Sequence, residues 1–150
     1  MNYAFTNGKI LDGTRDMQVQ TGLCILVQDG TITDIVPDTA DLADYETIDL
    51  QGRYIMPGLI NMHVHLAGNG KPQKKQRDNE KLVKKIMRSS LTRAVAYKMV
   101  SGFAKDELLS GVTTIRTVGG LGSFDTRLRD EIAAGTKVGP RILAANEGIS

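Results

Sequence analysis

Ile55-Met56-Pro57-Gly58-Leu59-Ile60-Asn61-Met62-His63-Val64-His65-Leu66 is the stretch on which the reading of this chain turns. Pro57-Gly58 is a turn pair, and the run from Leu59 to Leu66 is mostly apolar on both pleat faces, as in a parallel strand buried on each side. Strands of that kind belong to α/β folds. Side chains alternate along a strand, so His63 and His65 fall on one face, about 7 Å apart, while Val64 points the other way.

Two imidazoles on one face can share a divalent ion such as zinc, which accepts neutral imidazole nitrogen. A catalytic site of this type needs about three protein ligands and an open position for water. His63 and His65 are the only histidines in the chain, so the set is incomplete within it. Without context a His-x-His pair is more often two packed or solvated side chains than a metal site.

The context is specific. Upstream stand Val27-Gln28-Asp29-Gly30-Thr31-Ile32 and Asp49-Leu50-Gln51-Gly52-Arg53-Tyr54, leading into Ile55-Met56-Pro57-Gly58; downstream stands Gly111-Val112-Thr113-Thr114-Ile115-Arg116. In this order the chain resembles the amidohydrolase superfamily of metal-dependent hydrolases over essentially its whole length. Gly111 to Gly120 is most similar to the branch of imidazolonepropionase-like enzymes and Xaa-Pro or related dipeptidases, many members of which carry Asp where this chain has Thr117.

The resemblance implies an α/β fold: a partial TIM (β/α)₈ barrel, about its first three βα units, over residues 56–150, preceded by part of a small β-sandwich domain over 1–55. A whole barrel takes about 250 residues, against 150 in the chain. This length therefore reads as the front part of a longer enzyme that hydrolyses a C–N bond of a cyclic amide or dipeptide. His63 and His65 would be metal ligands, for one or two ions, most simply zinc. The resemblance places the proton-shuttling Asp on the last strand, a Lys on the fourth and two more histidines on the fifth and sixth. No catalytic residue is therefore expected within residues 1–150, which should be inactive alone. The partners implied are a small amide or peptide substrate and the remainder of the enzyme, with a homo-oligomer left open.

The flanking sequence agrees with a globular hydrolase. Composition is 41% hydrophobic and 24% charged, ordinary for a globular domain. The N-terminus has no basic region followed by an apolar core, and no apolar run approaches the roughly 18 residues of a membrane span, so a cytoplasmic protein is expected. Cys24 is the single cysteine; within Leu23-Cys24-Ile25-Leu26-Val27 it reads as a buried thiol. In the first 55 residues, Asn7-Gly8 and Asp29-Gly30 each predict a hairpin between short antiparallel strands.

Beyond His65 the glycines and Pro72 predict a loop. A helix follows, with an apolar stripe at Met87, Leu91, Val95, Met99 and Phe103, widened by Val83 and Ile86, and Gly102 as a place for a kink. Gly111 suits a left-handed C-cap, and Val112 to Val118 reads as the second parallel strand. Gly119-Gly120-Leu121-Gly122 fits neither G-x-G-x-x-G nor a P-loop and reads as a tight strand-to-helix loop. Ser123 or Asp125 can cap the next helix, whose face is Phe124, Leu128 and Ile132, with Arg127 and Glu131 paired four apart. Gly135 ends it, and Arg141 to Ala145 is a third strand.

One run points to a different class of function. Lys71, Lys74, Lys75, Arg77, Lys81, Lys84, Lys85 and Arg88 face only Asp78 and Glu80, so this window is +6 and the rest of the chain −4. That asymmetry could serve a basic binding module in which the His-x-His pair is structural. The run contains no aromatic residue to act as a stacking platform for bases. A solvated helix face is the simpler reading, so neither nucleic acid nor a membrane is an expected partner.

Overall fold

The structure, a computed structural model, describes residues 1–68 and 78–146. It divides into two compact units, Met1–Pro57 and Gly58–Ser150.

The first unit is all β. Strands β1 (Asn2–Thr6), β3 (Leu23–Gln28), β4 (Thr31–Pro37) and β5 (Glu46–Asp49) form one sheet in the order β4-β3-β1-β5, and β2 (Lys9–Ile10) pairs with β6 (Tyr54–Ile55) in a second. Asp29-Gly30 does close the β3–β4 hairpin, with both residues at positive φ (49° and 80°), as a type I′ turn requires.

Asn7-Gly8 does not close a hairpin. Asn7 is left-handed, but β1 and β2 then enter different sheets. Two of the pairings in this unit, β1–β5 and β2–β6, are parallel rather than antiparallel. The reason is long-range: β1 finds its second partner more than forty residues away, at Glu46 to Asp49, and no local turn signal encodes that. Cys24 is buried at 1% exposure, and burial, with the charge of Asp38, pushes its thiol up. Phe5, Ile25, Val27, Ile32 and Ile55 line an apolar hollow of about 290 Å³ in this unit.

The second unit is a β-α-β-α-β arrangement. Strands β7 (Leu59–Val64), β8 (Val112–Thr117) and β9 (Arg141–Leu143) are parallel in that order. The connections carry α1 (Asn79–Met87), α2 (Ser90–Leu109) and α3 (Phe124–Ala133). Val64, Leu66, Ile115 and Ile142 from the sheet side meet Ala96, Tyr97, Val100, Ala104, Phe124 and Leu128 in one core. Gly111 is left-handed (φ 95°) and its N–H returns to the carbonyl of Leu108, ending α2 as expected.

Gly58 matters through space rather than through its dihedrals, because a Cβ there would collide with the Thr113 side chain of the neighbouring strand. Gly58→Ala is expected to cost about 1–3 kcal/mol by overpacking, read as a lowered urea midpoint at unchanged m-value. An unaltered midpoint would show that the strands can separate without cost.

The helical region departs from the periodicity in three ways. The helix breaks at Ser89, not at Gly102, which lies inside α2; Ser89 caps α2 by accepting the Leu91 N–H (3.2 Å). The face turned inward is Ala96, Tyr97, Val100 and Ala104, whereas Leu91, Val95 and Met99 are exposed, at 72%, 55% and 55%. Of the two methionines in the expected stripe, Met87 packs against the core and Met99 does not. Apolar side chains lie all round α2, so spacing alone left the face undetermined.

Tyr97 decides it. Its hydroxyl donates to Glu131 Oε2 (2.7 Å), Arg127 Nε donates to Glu131 Oε1 (2.8 Å), and the Arg127 guanidinium lies 4.0 Å from the Tyr97 ring centroid. Burial, then the bond to Glu131, pushes the Tyr97 phenol up, and the bond from Tyr97, with that from Arg127, holds the Glu131 carboxyl down.

The strand β7 also departs from expectation. Leu59, Ile60 and Met62 are 50%, 65% and 47% exposed, so it is not covered on both faces among the described residues; β8 is its one neighbour there. No helix among the described residues is long and apolar enough to cross a membrane.

Candidate metal site

The two histidines lie at the C-terminal end of β7, but the strand does not place them by simple alternation. The β7–β8 register shifts between Asn61 and Val64, the mark of a bulge, which bends a strand and re-aims its side chains. Two hydrogen bonds fill the irregularity. Asn61 Oδ1 accepts the His63 N–H (3.2 Å), and Arg116 Nε donates across from β8 to the Met62 carbonyl (2.9 Å). β7 ends at Val64, which is buried, and His65 stands just past it. The rings of His63 and His65 are both exposed, with centroids 5.2 Å apart and planes at 66°. They are neighbours edge to face, closer than a flat strand would bring them.

His65 is held by the loop after β8. Its Nδ1 lies 3.3 Å from the Gly119 carbonyl. A carbonyl only accepts, so Nδ1 carries the proton in this bond and Nε2 keeps the lone pair that a metal takes. Gly119, at φ 144°, is also close enough that a Cβ would lie 3.5 Å from the His65 ring. That is ordinary contact; the close approach in this glycine run is at Gly120, where a Cβ would lie 2.6 Å from Asp125 Oδ2.

Around this loop sit groups that the sequence did not single out as functional. Thr117, fully buried at the end of β8, accepts the Ala145 N–H at its hydroxyl (3.0 Å). Asp125 does not cap α3. Its carboxyl is 1% exposed, Oδ2 has no hydrogen-bond partner among the described residues, and burial pushes it up against a smaller opposing pull from Thr117. Nor does the Ser123 side chain cap the helix. Asn146 does so from beyond β9, its Oδ1 accepting from the Thr126 N–H (3.1 Å) and hydroxyl (2.7 Å). No sequence signal pairs Thr126 with a residue 20 positions away.

The donor set fits a divalent metal in kind and falls short in number. Two adjacent imidazoles, one with its tautomer set by a carbonyl, are what such an ion takes. Among the described residues no group of three or more His, Cys, Asp or Glu side chains comes together.

A strand bearing paired histidines at its end, in a parallel β-α-β unit, defines a mixed α/β scaffold, and comparison with known proteins specifies it. The amidohydrolase family model matches residues 46–121, half of the chain. The chain belongs to the amidohydrolase family. It is 39% identical over 77 residues to a dihydroorotase of Syntrophobacter fumaroxidans, a match covering 49% of this chain and 17% of that protein. A dihydroorotase of Bacillus thuringiensis is 45% identical over 71 residues, covering 47% and 15%.

Among solved structures, a Xaa-Pro dipeptidase with bound methionine in its active site superposes with a TM-score of 0.75 at 30% identity, over 100% of this chain and 34% of that one. Molinate hydrolase superposes with a TM-score of 0.74 at 27% identity, over 99% and 30%. The chain therefore spans about a third of the length of the solved structures it matches. The mixed α/β fold is that of the amidohydrolases over the whole chain.

Proposed function

We propose that this chain is the front part of a metal-dependent amidohydrolase that hydrolyses a C–N bond of a cyclic amide or a dipeptide. His63 and His65 would then be metal ligands at the C-terminal end of the first strand of a (β/α)₈ barrel, the end at which barrel active sites are built. The observation that carries this reading is the exposed ring pair with His65 Nδ1 tied to the Gly119 carbonyl. The dihydroorotases and the Xaa-Pro dipeptidase among its relatives support the bond class. Zinc suits imidazole donors, and one or two ions are compatible with the pair.

Such an ion, when bound, supplies the Lewis acidity that activates water and polarises a scissile carbonyl. This chain's own residues position the ligands. The bulge sets the His63 backbone, Arg116 holds the bulge to β8, and the Gly119 carbonyl keeps the His65 proton on Nδ1. The remaining ligands and the base that moves the proton would come from later strands, and the later loops would select the substrate. Met1–Pro57 would be part of the small β-sandwich, the enzyme would be cytoplasmic, and a homo-oligomer is compatible with this reading.

The test is made on the enzyme at the length of its relatives. It should purify with a divalent metal, lose hydrolysis of cyclic amides or Xaa-Pro dipeptides to a chelator, and regain it on adding zinc. Metal-free protein whose hydrolysis is indifferent to added metal would overturn the proposal.

The basic run is proposed as a solvated face rather than a nucleic-acid site. Residues 69–77 lie outside the described residues; Lys81, Lys84, Lys85 and Arg88 are exposed on and just after α1, with Lys81 paired to Asp78 at 3.1 Å. Phosphate contacts would make binding fall steeply with salt. Binding to generic DNA or RNA should therefore be weak at physiological salt and little changed when Lys74, Lys75, Lys84 and Lys85 become Gln. Tight, strongly salt-dependent binding abolished by those changes would favour the basic-module reading instead.

A further inference from the structure

The carboxyl of Asp125 is the one buried polar side chain in the described residues with an oxygen left unpartnered. A buried acceptor without a partner costs about 1–3 kcal/mol, more if charged, so its retention calls for a compensating interaction. Its surroundings are built closely around it. Gly120 lies against the carboxyl so tightly that a Cβ would come within 2.6 Å of Oδ2, and no other residue type fits there without displacing Asp125. Thr117, fully buried and accepting the Ala145 N–H at its hydroxyl, is the polar side chain that acts on the carboxyl against the effect of burial. The Gly120 N–H donates to the Asn146 carbonyl (2.7 Å). The turn whose Gly119 carbonyl meets His65 is thus held at Gly120 by contact with Asp125 and by a hydrogen bond to Asn146.

We propose that Asp125 is a positioning residue for the histidine pair: its buried carboxyl braces the Gly119–Gly120 turn, so that the Gly119 carbonyl holds the His65 ring with Nε2 free for a metal. The inference rests on the reading of His63 and His65 as ligands. It also gives the orphan oxygen a role, since Oδ2 packs against the Gly120 backbone instead of pairing with a donor. Partners of this outer kind orient a ligand and raise its basicity, and their loss typically costs about 10- to 100-fold in metal affinity.

The experiment uses the full-length enzyme in two states. In the metal-free crystal structure of Asp125→Ala, the His65 Nδ1 to Gly119 carbonyl separation should open from 3.3 Å to beyond hydrogen-bonding range. Zinc affinity, measured by competition with a chromophoric chelator, should fall about 10- to 100-fold in Asp125→Ala and Thr117→Val. Thr117→Ser, which restores the hydroxyl, should recover it. An unchanged His65–Gly119 contact and unchanged zinc affinity in Asp125→Ala would overturn the proposal. Should that variant fail to fold, Asp125→Asn and the Thr117→Val and Thr117→Ser pair decide by the same readouts. Wild-type zinc affinity in the His63→Ala, His65→Ala double variant would instead refute the ligand reading, while the metal-free distance would still test the brace.

Discussion

The full-length enzyme carrying both His63→Ala and His65→Ala is expected to lose hydrolysis altogether and to retain less metal than wild type after identical purification. The effect should exceed the about 10- to 100-fold typical of losing an outer partner, because each change removes a nitrogen that no neighbouring group replaces. Among the described residues no cluster of other His, Cys, Asp or Glu side chains stands by to substitute. The two rings touch at 5.2 Å, so a single alanine leaves the second imidazole beside an enlarged, water-filled gap and a smaller loss is expected. Metal stoichiometry by mass spectrometry and turnover on an amide substrate are the two measurements. Wild-type values of both in the double variant would remove the histidines from the site.

Residues 1–150 expressed alone are expected to be inactive and to aggregate or self-associate. The three parallel strands β7, β8 and β9 leave β7 and β9 with one neighbour each among the described residues, and an unpaired strand edge is a template for pairing with another chain. Three strands cannot close the eight-stranded barrel proposed for the whole enzyme. Leu59, Ile60 and Met62 on β7 and Leu143 on β9 meet water, and the first unit keeps its own apolar hollow lined by Phe5, Ile25 and Ile55. On the proposed reading, later strands of the enzyme would cover these surfaces and would also bring the remaining ligands and base. Stability and catalysis should fail together. Light scattering with size exclusion, urea unfolding and a metal-supplemented amide assay are the checks; a monomer with one cooperative transition and metal-dependent hydrolysis would disprove the argument.

Much of the scaffold was legible because its signals are local. Asp29-Gly30 closes its hairpin because two consecutive residues must take positive φ, and Asn or Asp with Gly does so at low cost. Gly111 and Gly135 end their helices for the same reason. The strand around Val64, the strand from Val112 and the amphipathic face of Phe124, Leu128 and Ile132 followed from spacing, and the His63–His65 pair from order along a few residues.

What only the tertiary structure decided involves partners far apart in sequence. Asn7-Gly8 carries a hairpin signal, yet β1 pairs with β5 more than forty residues on. The face of α2 was set by the Tyr97–Glu131 bond across 34 positions, since apolar residues surround that helix. The bulge that brings the rings together, the Gly119 carbonyl 54 residues from His65, and the buried Asp125 against Gly120 arise from packing strands and helix ends against one another. A sequence specifies φ preferences and periodicity residue by residue. Which polar groups are desolvated together, and therefore which must find one another, is settled only when distant segments share the same space.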